Sequence, residues 1–268
     1  MRTSALLLSV ALLGIACVDQ TPVTPSANRV IVLAVIDPAV SDQTFIVQTT
    51  TGAENQQRDV QGARVTVTTP DAQTLVATEV PDTVPPRFKG DRVVINTRYH
   101  VSFASVGGVV PGGRYLLHIV LPDGREVNGA TTVPVATMSV GPALPDFDRY
   151  HDTLSLAWPA VRGAAAYEVF ISAQTTFNVF SDTAIVIPGL AENEDGNPAF
   201  WPGLTNRVVV VAVDANYYDY YRRTSDIFSG RGLINHLDGG IGVFGSIAPV
   251  ASYSLKVRCN PLYCSPAP

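Results

Sequence analysis

The sequence predicts a mostly β chain built as two tandem β-sandwiches, the second carrying an inserted helix and a glycine-rich loop before its last strand. Three observations predict it. Short β-branched runs recur between turn residues from Arg29 onward. A proline-punctuated passage from Pro134 to Pro145 divides them into two groups. The stretch from Val209 to Pro249 then breaks the pattern with clustered tyrosines followed by glycines. At 268 residues and 46% hydrophobic content, the chain can fill two modest cores more readily than one large one.

The first sandwich is expected over residues 29–135. Its runs are Arg29 to Ile36, Thr44 to Thr49, Ala63 to Thr69, Arg92 to Ile95, His100 to Phe103, Arg114 to Leu121 and Gly129 to Val133. Between them stand Pro70-Asp71, Pro85-Pro86, Gly107-Gly108, Pro111-Gly112-Gly113 and Pro122-Asp123-Gly124, each chemically suited to reversing the chain. Ala63, Val65 and Val67 alternate with Arg64, Thr66 and Thr68, the period of two that a half-buried strand requires.

The second sandwich is expected over residues 144–258. Leu154-Leu156-Trp158 and Tyr167-Val169-Ile171 alternate as two neighbouring strands with a large aromatic anchor, separated by Pro159. Arg207 to Val213 is a further strand, and it stops at Asp214, a favourable helix N-cap. From there ANYYDYYRRTSDIF places Tyr217, Tyr221 and Ser225 on one helical face and Tyr218, Arg222 and Asp226 near another, with Asp219 spaced to pair with Arg223. Gly230, Gly232, Gly239, Gly240, Gly242 and Gly245 then bracket Leu233, Ile234, Ile241, Val243 and Phe244, a loop expected to bury its own apolar side chains before a last strand from Ser252 to Val257.

The ends of the chain supply an address. Residues 1–17, MRTSALLLSVALLGIAC, have one positive charge, a short apolar run and small residues before Cys17, which is export grammar. The apolar run is too short to span a bilayer, and Gly14-Ile15-Ala16-Cys17 resembles a lipobox, with Gly14 where Leu is usual, so lipidation is expected at Cys17. An ordinary secretory signal is the alternative. With Cys17 consumed by lipid, Cys259 and Cys264 remain as a possible disulfide in the tail, residues 259–268. Residues 18–28 read as a polar, proline-bearing tether. Val18, rather than Asp, after the cysteine agrees with an outer-membrane destination, on its periplasmic or its cell-surface side.

Three resemblances add to this reading. VQGARVTVTTPD and VPGGRYLLHIVLPDGREVNGATTVP, through Gly62, Ala63, Val65, Val67, Gly112, Tyr115, Leu117 and Ile119, resemble the transthyretin-like or carboxypeptidase-regulatory sandwich, an Ig-like fold. LSLAWPAVRGAAAYEVFIS with RVVVVAVDANY resembles a fibronectin type III domain, a fold that implies adhesion or scaffolding more often than catalysis. Tyr218, Asp219, Tyr220 and Tyr221, then Ile234, Asn235, Gly239, Gly240, Gly242, Phe244 and Gly245, resemble the exported lipoproteins of domain-of-unknown-function family 4249. Pro249 and the terminal CNPLYC depart from that pattern. The last resemblance implies a cell-envelope lipoprotein working beside a TonB-dependent outer-membrane transporter, with no enzymatic activity.

Candidate chemistry is sparse. A formal net charge of −5 with 15% charged residues offers no basic field for nucleic acid. His100, His118, His151 and His236 show no i, i+4 pairing, and His236 with Asp238 supplies two metal ligands where a site needs more. Glu192 to Asn197 has the oxygen density of a calcium loop without its spaced ligands, and reads as a solvated acidic turn. Gly239-Gly240-Ile241-Gly242 follows a helix and precedes a strand, the reverse of a dinucleotide loop. No cofactor and no catalytic residue is expected. Tyr217, Tyr218, Tyr220 and Tyr221 are the candidate partner contacts, with Trp201 and Phe200, for an outer-membrane receptor or, as a surface adhesin or glycan-binding module, for a sugar. Packing competes with that role, because a helix needs a buried face to persist.

Overall fold

A computed structural model describes residues 28–51, 57–84, 94–193, 195–222 and 235–258. Cys17, Cys259, Cys264, Arg223, Ser225, Asp226, Gly230, Gly232, Leu233 and Ile234 lie outside the described residues. The fold is mostly β, of Ig-like sandwich type and without a barrel.

Strands β1 (Val30–Ile36), β2 (Asp42–Thr50), β3 (Gln57–Asp59), β4 (Arg64–Thr68), β5 (Thr74–Val76), β6 (Thr78–Val84), β7 (Val94–Ser102), β8 (Arg114–Val120) and β9 (Glu126–Thr132) come first. One layer runs β6-β7-β2-β1, with β3 on the edge of β2, and the facing layer runs β5-β4-β8-β9. The alternation in the sequence decides which side chains meet between them: Val30, Val32, Ala34, Phe45, Val47 and Tyr99 face Val65, Val67, Tyr115, Leu117, Ile119 and Val127 in one core. Of the two runs expected at Arg92 to Ile95 and His100 to Phe103, Val94 and Ile95 and His100 to Ser102 belong to the single strand β7, while Arg92 and Val93 lie outside the described residues. Strand β6 holds Pro81, which sits there because this is a sheet edge and its missing N–H is not needed by a second neighbour.

The later strands are β10 (Ser139–Val140), β11 (Leu144–Phe147), β12 (Thr153–Ala157), β13 (Ala166–Ser172), β14 (Thr176–Ser181), β15 (Ala184–Pro188) and β16 (Thr205–Val213), followed by helix α1 (Ala215–Tyr221), β17 (Leu237–Asp238) and β18 (Ile241–Val257). The order β14-β13-β16-β18 forms one layer and β12-β15 the other. Trp158 and Tyr167 meet edge to face at 5.5 Å in a core with Val169, Ile171, Phe200, Val208, Val210 and Leu255.

The helix precedes the last strand, as expected. That strand begins at Ile241, eleven residues before the expected Ser252, and the glycine run from Gly242 to Gly245 belongs to it. Its first part pairs in parallel with β1, from Ile31 with Ile241 to Ile36 with Ser246. Its second part pairs antiparallel with β16, from Val213 with Ile247 to Thr205 with Lys256. One strand thus crosses from the first sandwich into the second. β17 adds to β9, while Leu237 and Phe244 enter the first core, where Phe244 packs edge to face on Phe45 at 6.2 Å. The first sandwich therefore uses residues from 237 onward as well as 29–135.

The glycines are explained by close approach. A Cβ on Gly242, whose φ is +123°, would stand 2.0 Å from the Val32 carbonyl oxygen, and one on Gly239 would stand 2.1 Å from the Glu126 carbonyl oxygen. What reads locally as a loop is a strand pressed against backbone.

Candidate functional site

Helix α1 starts where β16 ends because Asp214 caps it. Its backbone is extended, and its carboxylate accepts from the Tyr217 N–H at 2.9 Å. The same carboxylate accepts from the Ser246 N–H at 3.1 Å and from Thr131 Oγ1 at 2.6 Å. Ser246 Oγ donates to the Thr132 carbonyl at 3.1 Å and lies 2.9 Å from Thr131 Oγ1. Asn216 Nδ2 donates to the carbonyls of Ala130 and Phe244, at 2.6 and 2.8 Å. A buried polar knot therefore joins β9, β18 and the helix where the two sandwiches meet. Burial raises the Asp214 carboxyl above its ordinary range, opposed by these hydrogen bonds.

The four tyrosines divide by function. Tyr217 donates to Glu168 Oε2 at 2.8 Å, while Asn178 Nδ2 donates to Oε1 at 2.7 Å, which satisfies a carboxylate that is 2% exposed. Burial raises Glu168 above the usual carboxylate range, and burial followed by the Glu168 charge raises the Tyr217 phenol far above its own. Tyr220 is buried, and its hydroxyl has no partner among the described residues. Tyr218 meets Phe180 edge to face at 5.3 Å under the Arg222 guanidinium, 5.0 Å from its ring centroid. Tyr221 is 41% exposed, its ring tilted against that of Tyr217 at 4.4 Å. Packing takes Tyr217 and Tyr220; Tyr218 is half-buried and Tyr221 is left exposed. Phe200 is fully buried, and Trp201 donates its indole N–H to Thr175.

Among the described residues the polar candidates find partners on the helix and within their own turns. Asp219 pairs with Arg222 at 2.9 Å, while Arg223 lies outside the described residues. His236 turns to Asp219, at 2.9 Å, and ties the segment before β17 to the helix. No group of three or more His, Cys, Asp or Glu is placed to hold a metal among the described residues. In the acidic turn, Asn193 Oδ1 accepts from the N–H groups of Asp195 and Asn197, closing the turn on itself. His118 stands on the outer face of β8, 3.6 Å from Glu126.

Two open clefts of about 470 Å³ flank Arg125 at the end of the first sandwich where β1 begins. Arg125 is committed to Asp123, at 2.9 and 2.8 Å, and to the Asn28 carbonyl, so these clefts present no free pair of arginines to an anion. A third cleft of about 390 Å³ lies beside Trp158, Arg162 and Tyr253. No described helix is long and apolar enough to cross a membrane.

Sequence reasoning missed Thr131, Ser246, Asn216 and Glu168. Asp214 was legible as a cap, but its partners come from strands with no local signal for a helix terminus. The fold and site define a two-sandwich, Ig-like protein with an aromatic helix at the junction. No protein-family model matches the chain, and no curated protein matches it.

Proposed function

We propose that this protein is a non-catalytic, lipid-anchored lipoprotein of the outer membrane, a binding or accessory subunit working beside a TonB-dependent transporter. The observation that carries the reading is the export leader closing at Cys17, followed in the sequence by a polar, proline-bearing stretch that leads to the first described strand at Val30. The resemblance of the tyrosine and glycine segments to family 4249 supports the transporter as partner. Packing supports the contact surface: Tyr221 and Tyr218 remain available beside Arg222 after Tyr217 and Tyr220 have been taken into the fold.

Metabolic labelling with an alkynyl fatty acid tests the anchor. Label is expected on the wild type and lost in Cys17→Ser. Solubilisation of the membrane followed by affinity capture tests the partner, with recovery of a TonB-dependent receptor expected. Recovery of the protein alone, under conditions in which known receptor pairs survive, counts against it. The exposed Tyr221 ring also favours a second reading, a surface adhesin or glycan-binding module; glycan-array binding unchanged in Tyr221→Ala would dismiss it.

A further inference from the structure

The path of the chain through its sheets has a mechanical consequence. β1 begins just after the tether, and its parallel partner is the first part of β18, in a register running from Ile31 with Ile241 to Ile36 with Ser246. β18 then continues in the same direction to Val257. The chain therefore enters at the starting end of one parallel strand and leaves at the far end of the other. A pull between those points slides the two strands along each other and loads their evenly spaced hydrogen bonds together. A pull between the two starting ends would open the same bonds one after another.

Neither strand has an easier way out. β1 is held on its other side by β2, from Val30 with Thr49 to Leu33 with Ile46. The second part of β18 lies between β16 on one side and β10 and β11 on the other. Between Ser246 and Ile247 the load passes from sandwich to sandwich along a continuous strand, with no linker to stretch. Gly242 lets the pair close, since a side chain there would meet the Val32 carbonyl, and the Asp214, Thr131 and Ser246 bonds tie the crossing point to β9 and α1.

We propose that this chain is a load-bearing link, in which β1 and the first part of β18 form a shear clamp between the N-terminal tether and whatever holds the second sandwich or the chain beyond it. The source of the load rests on the anchored reading above; the clamp rests on strand topology alone, so the two can fail separately. A transporter that moves under an energised pull is the class of partner against which such a link has use.

Single-molecule force spectroscopy on the chain from residue 18 onward tests it in two geometries. The first holds the two termini. The second holds the N-terminus and a handle on Asp238→Cys, with Cys259 and Cys264 changed to Ser in every chain compared so that the thiol is unique. Residue 238 is exposed, ends the two-residue β17 beside β9 and stands three residues before β18, which places both attachments at the starting ends of the parallel pair. At the same constant force, unfolding is expected at least about tenfold slower end to end than between the N-terminus and residue 238, because forced unfolding follows the unfolding rate. Equal rates, or slower unfolding in the second geometry, overturn the clamp. Asp238→Cys pulled end to end is expected to match the same chain with Asp238 in place, which separates geometry from any weakening by the handle. Loss of fatty-acid labelling with the rate ratio intact would remove the anchor and leave the clamp standing.

Discussion

The two parts of β18 are built from opposite materials. Ile247 to Val257 contains the run Ser252 to Val257 that reads as a strand, has no glycine, and pairs antiparallel with β16, a strand of its own sandwich. Ile241 to Ser246 is broken by glycines and pairs in parallel with the first strand of the fold. Phe244 nevertheless reaches the first core and is fully buried. Glycine in a strand can thus mark close backbone approach, where the strand is set by its partners more than by its own propensity.

Substitutions along β18 and beside it should differ widely in cost. The largest loss is expected for Gly242→Ala, which adds a carbon 2.0 Å from the Val32 oxygen at a φ of +123°. Urea denaturation should show it less stable by more than about 3 kcal/mol or unfolded. Gly124→Ala, at a positive φ with nothing within 4 Å, should cost only about 1 kcal/mol in the same assay. Asp214→Ala removes the helix cap and leaves Thr131 and Ser246 short of a buried acceptor, with an expected cost of about 2 kcal/mol. Tyr221→Ala, at an exposed ring tilted against Tyr217, should shift stability by no more than about 1 kcal/mol; a large effect would make it part of the packing.

Glu168 gives the packing under the helix a pH dependence. Its folded carboxyl is raised above the unfolded one, so the native state holds a proton that the unfolded chain has already released. Its stabilising contribution is full below the ordinary carboxylate range and is lost as pH rises through the raised value. Stability of the wild type relative to Glu168→Gln should therefore fall with rising pH across that window and level off above it, in urea titrations at a series of pH values. A relative stability that rises with pH would contradict the placement of Glu168 beneath Tyr217.

Much of the fold was legible because alternation writes a buried face directly into the sequence. Val65 and Val67, Tyr115, Leu117 and Ile119, and Trp158 with Tyr167 point inward as their spacing requires. The helix start at Asp214 was equally plain. The extent of β18 was not, because Gly239 to Gly245 carries the composition of a turn and its partner β1 stands at the opposite end of the chain. The candidate site was half legible. Tyrosines at 217, 218, 220 and 221 announce a helix with something to bury, but which of them is buried depends on Glu168, Phe180 and β18, contributed by three separate strands.

Because β18 runs through both sandwiches, the two are expected to unfold as one cooperative unit, and tryptophan fluorescence tests this most directly. The two tryptophans are Trp158 and Trp201, both in the second sandwich, whereas Phe244 lies in the first core. Phe244→Ala should lower the stability read by tryptophan in urea by about 3–5 kcal/mol, the usual cost of emptying a buried aromatic site. A tryptophan transition left in place, while hydrogen exchange shows β1 and β2 opening, would contradict it.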